Sequence, residues 1–332
     1  MVAPFSLRDL RLLGRLGQDS VSLCPMEALT RPQSAVWTAL ISLLPLDEGA
    51  SFTFVLDEQR RDGKQLQGFI QTRHAAARSS IYVRYLMPHP DADEDAQAVW
   101  NRLTSHLAAV AGERGIERVF ACAADGSPEM TALLAAGFCA YTREHVFRRE
   151  SGTYPQAPAQ GGIRPEQSAD MGEIAQLYRA VSPRLVQQAE SPSEHTDLDW
   201  LCGPGDWNQG EGLVLQDRIG IAGYGHLTPG RSGHWLSILV HSRAYDRAAG
   251  LLDHCLAPLN YYPTHPVYCS VREYQGGIVA PLEERAFALH SVQCRMVRHT
   301  TVRVTEPARS LVPALEKRVE APTTTVTPTR SS

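Results

Sequence analysis

The chain has 332 residues, 43% hydrophobic and 20% charged, with a formal net charge of −4. That length points to about two domains, each with enough apolar residues for a core. The weak negative charge excludes a global basic field of the kind that holds nucleic acid, and the seven cysteines contain no C-x-x-C pair, so neither a zinc site nor a disulfide framework is expected.

The start, MVAPFSLRDLRLLGRLG, mixes charges into its apolar positions and reads as an amphipathic helix from Ser6 to Leu16, not a secretory segment. The apolar run Ala35–Leu46 is too short to span a bilayer and reads as a core helix. A soluble cytoplasmic protein without membrane contact is expected. Alternating β-branched and aromatic residues predict strands at Ser51–Glu58, Leu66–His74 and Ser80–Pro88, with a hairpin turn at Asp62-Gly63. The stripe Val99, Leu103, Leu107, Val110 predicts a helix over Ala96–Gly115. A strand follows at Ile116–Ala124, then a helix capped by Ser127, opened by Pro128 and closed by Gly137.

Ser151–Gly162 is rich in Gly, Pro and Ser and reads as a linker. Beyond it, Asp170 and Glu173 have capping-box spacing before a helix to Val181, and a short helix follows at Ser182-Pro183. Strands are predicted at Gly212–Gln216, Ile219–Leu227 and Gly233–His241, a helix at Ala244–Leu256, and then a strand, a helix and a closing strand. The tail from Thr305 is rich in Pro, Thr and Ser and is expected to be disordered.

The phrase LLAAGFCAYTREHVFRR (Leu133–Arg149) is echoed by LEERAFALHSVQCRMVRH (Leu282–His299), matching Phe138 to Phe287. Each half reads as helices, three antiparallel strands, a helix, a strand, a helix and a final strand. This order, with a Gly-Phe corner before the last strand, resembles the GNAT N-acetyltransferase superfamily. The resemblance implies a mixed α+β (α/β) fold of two tandem GNAT-like domains, each a mostly antiparallel mixed sheet flanked by helices. The domains would span 1–150 and 163–304, with a linker at 151–162 and a tail at 305–332.

In that family the turn from third strand to helix binds the diphosphate of acetyl-CoA, following [QR]-x-x-G-x-[GA]. Here RAYDRA supplies Arg243 and Ala248, with Asp246 in place of the glycine and Arg247 beside it. The resemblance therefore implies acyl-CoA at Leu239, Val240, Arg243, Arg247 and Ala248 in the C-terminal half. The matching N-terminal stretch, HPDADEDAQA, has no glycine and four acids and departs from the pattern. The family's acid tyrosine falls on Leu133 and Leu282, so it is missing twice.

Acyl transfer needs a base. Tyr224 and His226, two apart on one strand, share a face, and Glu273 and Tyr274 follow the fifth strand. His226, Tyr224 and Glu273 are the candidate catalytic residues; solvent-facing strand positions are the alternative. Glu144 and His145 read as exposed, and Arg184, Gln187 and Gln188 as the polar solvent face of a helix, with contacts to substrate or to the other half as the alternative. Two functions fit. One is acyl transfer from acetyl-CoA, or another acyl-CoA, to a small-molecule or peptide amine without a metal. The other is a non-catalytic protein binding an acyl-CoA, a small ligand or a protein partner.

Overall fold

A computed structural model describes residues 1–16, 20–41, 52–60, 63–74, 79–91, 94–154, 161–190, 210–261 and 264–300. Trp200, Cys202, Trp207 and the tail from Thr305 lie outside the described residues. The first half contains β1 (Val2–Pro4), α1 (Leu10–Leu16), β2 (Val21–Ser22), α2 (Pro25–Thr30) and α3 (Ala35–Ile41). It continues with β3 (Thr53–Gln59), β4 (Gln65–His74), β5 (Ser80–Met87), α4 (Ala96–Glu113), β6 (Arg118–Ala124), α5 (Pro128–Ala135) and β7 (Cys139–Arg149). The second half contains β8 (Ile163–Pro165), α6 (Met171–Val181), α7 (Arg184–Glu190), β9 (Glu211–Gln216), β10 (Ile221–Thr228) and β11 (His234–Val240). It ends with α8 (Ala248–Leu256), β12 (Val267–Arg272), α9 (Val279–Glu283) and β13 (Ala288–His299).

The order from β3 to β7 thus recurs from β9 to β13. The recurrence reaches single hydrogen bonds. The Phe138 N–H donates to the Leu133 carbonyl at 3.0 Å, and the Phe287 N–H to the Leu282 carbonyl at 3.1 Å. Both closures need a left-handed residue after the helix. Gly137 supplies it with φ 86°; its counterpart is Ala286 with φ 60°. At the other end of α5 the expected cap forms, with Ser127 Oγ accepting the Met130 N–H at 3.2 Å.

The stripe on α4 packs as its period requires: Val99, Trp100, Leu103 and Leu107 are fully buried against β3–β5. Gly68 on β4 permits this approach, since a Cβ there would collide with Val99 and the Met87 carbonyl. In the second half Leu251, Leu252 and Cys255 of α8 bury against Leu236, Ile238, Cys269 and Val271.

Two local readings are corrected. The capping box before α6 is Gln167 with Asp170, whose carboxylate accepts the Gln167 N–H at 2.8 Å and holds Arg164 at 2.7 Å. Glu173 reaches the Ile221 N–H instead, at 3.1 Å. The helix expected from Ala244 begins as a 3-10 segment, Ser242–Arg247, and Ala244 is non-helical. His241 Nδ1 accepts the Arg243 N–H at 3.2 Å and so competes with a regular first turn.

One sheet runs through both halves in the order β1-β3-β4-β5-β6-β13-β7-β12-β11-β10-β9-β8, with β2 paired to β5 off this path. Its centre is an exchange. The last strand of the second half, β13, lies between β6 and β7, and the last strand of the first half, β7, lies between β13 and β12. Glu144 pairs with Gln293. These are counterparts under the match that carries Phe138 onto Phe287, so a local two-fold axis passes through that pair. Each strand also carries a bulge at a counterpart position, Tyr141 on β7 and His290 on β13.

The closing corners yield a stability prediction. Ala286 is exposed and left-handed, so Ala286→Gly removes a Cβ clash and should stabilise the chain by about 0.5–1 kcal/mol in urea denaturation. Gly137→Ala should destabilise it by about 1 kcal/mol or more.

Candidate functional site

Parallel strands that part at one end create a cleft in each half. In the N-terminal half β5 pairs with β6 from Ser80–Arg118 to Tyr82–Phe120 and no further. The chain itself fills the gap beyond. The Leu23 N–H donates to the Arg84 carbonyl at 2.8 Å, and the Leu23 carbonyl accepts the Cys122 N–H at 3.0 Å. Val21 and Ser22 pair with Leu86 and Tyr85. The floor of this cleft is also occupied: buried Glu27 holds Arg84 at 2.6 Å and Arg73 at 3.0 Å.

In the C-terminal half β11 pairs with β12 from His234–Val267 to Ser237–Ser270 and then departs. Among the described residues no backbone hydrogen bond bridges this gap. A side chain enters it: Gln275 Oε1 accepts the Val240 N–H at 2.9 Å. Leu239 and Val240 are buried, Leu239 toward α6 and Val240 toward α8. Past the cleft stand the two basic residues expected at a diphosphate. Arg243 Nε donates to Asp217 Oδ2 at 2.7 Å. Arg247 donates to the Gln216 carbonyl at 3.2 Å and the Gly161 carbonyl at 2.5 Å. Hydrogen bonding from Arg243 holds the Asp217 carboxyl down at about 2. Ala248 is fully buried against the sheet.

The structure brings Tyr224 and His226 together and adds an acid that sequence reading did not include. Both side chains are buried, not solvent-facing. The Tyr224 hydroxyl donates to Glu166 Oε2 at 2.7 Å and lies 3.1 Å from His226 Nδ1. Burial pushes the Glu166 carboxyl up, against the Tyr224 hydrogen bond. His226 sits opposite Ser237, the last β11 residue paired with β12, and Tyr224 opposite Leu239, inside the cleft. Glu273 is not part of this group; its carboxylate accepts the Arg143 N–H of β7 at 3.4 Å. Glu166 stands on no periodic element, which explains why it carried no sequence signal.

A second polar group lies on the two-fold axis. Glu144, read from sequence as exposed, is buried, with Arg272 Nε at 3.4 Å and Arg295 Nη1 at 3.5 Å. Glu190 at the end of α7 is also buried and takes Arg272 Nη2 at 2.9 Å. The same carboxylate accepts the hydroxyls of Tyr141 at 2.9 Å and Tyr178 at 2.6 Å. The bulge on β7 puts Tyr141 on the face that carries Glu144. Burial and the Glu190 charge push both phenols well above their usual range. At Arg272 burial and Arg295 oppose the charge, and Glu190, Tyr274 and Glu144 outweigh them. Gln187, read as solvent-facing or as a contact to substrate or to the other half, donates to the Arg179 and Ser182 carbonyls and closes the α6–α7 corner.

The thiols of Cys122 and Cys255 are poor nucleophile candidates, since burial pushes them up to about 11 and about 12. Leu133 and Leu282 are fully buried. Among the described residues no cluster of three or more His, Cys, Asp or Glu could hold a metal, and no helix is long and apolar enough to cross a membrane.

Comparison with known proteins places this architecture. No family profile matches the chain, and no curated protein matches it. Solved structures do. A GCN5-related N-acetyltransferase from Sphaerobacter thermophilus is 13% identical, over 90% of this chain and 95% of that one, with a TM-score of 0.50. A Drosophila protein is 11% identical, over 91% of this chain and 99% of that one, with a TM-score of 0.51. A tandem GNAT protein from the clavulanic acid biosynthesis pathway is 14% identical, over 90% and 98% of the two chains, with a TM-score of 0.48. The chain has the GNAT N-acetyltransferase fold, and its own element order shows that fold twice.

The axial charge group supports a prediction. Glu190→Gln leaves Arg272 with less compensation in a buried site and should cost about 3 kcal/mol of stability in urea denaturation. Arg184→Ala, on the exposed side of the same helix, should change stability by less than about 0.5 kcal/mol.

Proposed function

We propose that the protein is an acyl-CoA-dependent N-acyltransferase with one working cleft, in the C-terminal repeat (163–304). The N-terminal repeat (1–150), joined through 151–162, is structural. The observation that carries this reading is the difference between the clefts. Backbone of the same chain, at Leu23, bridges the N-terminal gap, whereas among the described residues the Gln275 side chain enters the C-terminal one. Backbone groups of Leu239 and Val240 would face the pantetheine once Gln275 withdraws. Arg243 and Arg247 would face the diphosphate, where guanidinium donors are favoured.

The acceptor amine enters from the α6 face. With the Tyr224 O–H directed at Glu166, His226 Nδ1 is the protonated nitrogen that donates to the Tyr224 oxygen, and Nε2 is the basic one. His226 removes a proton from the ammonium, the free amine attacks the thioester carbonyl, and the C–S bond breaks as the nitrogen gives its second proton to water. The thiolate takes its proton from water, because Leu282 offers none. Glu166 and Tyr224 hold the histidine tautomer. Free thiols at the six described cysteines support a reducing, cytoplasmic setting.

A second reading, binding without transfer, is favoured by the buried leucines at the acid position and by Gln275 on the Val240 N–H. Thiol release from acetyl-CoA in the presence of an amine panel separates the two. Transfer predicts release that falls at least about 100-fold in His226→Ala at unchanged acetyl-CoA affinity. Binding alone predicts no release above the blank. Asp217→Asn keeps the turn acceptors for Ile219 and Gly220 but frees Arg243. It should tighten acetyl-CoA binding by about three- to tenfold, and Arg243→Ala should weaken it by about tenfold.

A further inference from the structure

A cavity of about 270 Å³ lies beside the closed N-terminal cleft, away from the Tyr224–His226 group. Its walls come from both repeats: Leu23, Pro25 and Leu29 near α2, Cys122 and Ala123 on β6, Glu129 on α5, and His290, Ser291 and Gln293 on β13. Gln293 also lines a smaller recess, of about 40 Å³, with Tyr141, Glu144 and Arg295.

Gln293 is the informative residue. It is 6% exposed. Its Nε2 donates to Ser291 Oγ at 3.3 Å, but its Oε1 is buried without a hydrogen-bond partner among the described residues. An unmet buried carbonyl costs about 1–3 kcal/mol, and such groups usually have a partner supplied from elsewhere. The strand exchange places it there, since Gln293 is paired between Ala124 and Glu144. Among the described residues the cavity wall carries one carboxylate, Glu129, 17% exposed with His89 at 2.9 Å, and one imidazole, His290, which packs edge-on to Tyr268 at 5.5 Å. Among the described residues no arginine or lysine lines it. The wall is thus mostly apolar, and it includes the Gln293 amide and the Glu129 carboxylate. Apolar walls with a few placed polar groups are the usual form of a small-molecule site.

We propose that this cavity binds a small organic cation: an ammonium group on a compact apolar body, donating to Gln293 Oε1 and lying close to the Glu129 carboxylate. The site is independent of acyl-CoA and of the proposed transfer cleft. Neighbouring backbone at Leu23 closes the cleft beside it, so the ligand is held and not acylated there.

The test uses three probes of one shape and different charge: phenethylamine, 2-phenylethanol and phenylacetate. Each is titrated by calorimetry into the full chain, without acyl-CoA, and into Glu129→Gln, Gln293→Leu and His226→Ala. The proposal expects phenethylamine to bind and the other two to bind at least about tenfold more weakly. Glu129→Gln, a change on a partly exposed helix turn, should weaken phenethylamine by about tenfold, as should Gln293→Leu. His226→Ala should leave it unchanged. Equal binding of all three probes, no binding at about 10 mM, or unchanged affinity in Glu129→Gln would each overturn the proposal. Loss of binding in His226→Ala alone would move the amine to the transfer cleft and overturn it too.

Discussion

The pairing of β7 with β13 is the constraint on which the rest of the structure depends. Each repeat ends one strand short of closing its own sheet, and the partner repeat supplies the missing strand. The backbone hydrogen bonds of β6 are satisfied by β13, and those of β12 by β7. Unpaired strand edges are costly and prone to wrong pairing. Neither repeat can therefore complete its sheet alone. The local symmetry of the junction, with Glu144 opposite Gln293 and bulges at Tyr141 and His290, is what two copies of one unit would produce when each donates the same strand.

The repeats then diverge around this common centre. On the axis a glutamate occupies one counterpart and a glutamine the other. Glu144 is drawn toward Arg272 and Arg295, whereas Gln293 keeps a bare carbonyl beside a cavity. Burial of four charged side chains here, Glu144, Glu190, Arg272 and Arg295, is expensive unless every partner is in place. Those charges lie on β7, β12 and β13 and on α7, so the penalty for misplacing one strand is shared by both halves. The clefts diverge in the same manner. The N-terminal one is sealed by backbone at Leu23 and by the Glu27–Arg84 pair, which leaves the C-terminal one as the place where a ligand could lie between strands.

Much of the element order was legible because it rests on local signals. The α4 stripe, the Ser127-Pro128 start and the Gly137 stop are each carried by a few adjacent residues, and all formed as read. The echo of Leu133–Arg149 in Leu282–His299 held to the hydrogen bond, although Ala286 replaces the glycine. The strand exchange was not legible, because β7 and β13 have the same apolar pattern whichever sheet they join. Glu144 was misjudged for that reason: alternation marks a face, and only the partner strands decide whether that face is covered. Tyr224 and His226 share a face, as their two-residue spacing implied, and touch each other, but their burial was not legible. Glu166 was not legible either, since a residue in a turn acquires its role from a neighbour distant in sequence. At the expected diphosphate site, Asp217 already engages Arg243 and two carbonyls engage Arg247.

Asymmetry between two clefts of common descent is the central claim, and a crystal structure of the chain with acetyl-CoA tests it most directly. The account predicts one molecule per chain, between β11 and β12, with Gln275 withdrawn from the Val240 N–H and Arg243 turned from Asp217 to the diphosphate. Acetyl-CoA between β5 and β6, with Leu23 displaced, would contradict it, as would the absence of bound acetyl-CoA from either cleft at saturating concentration.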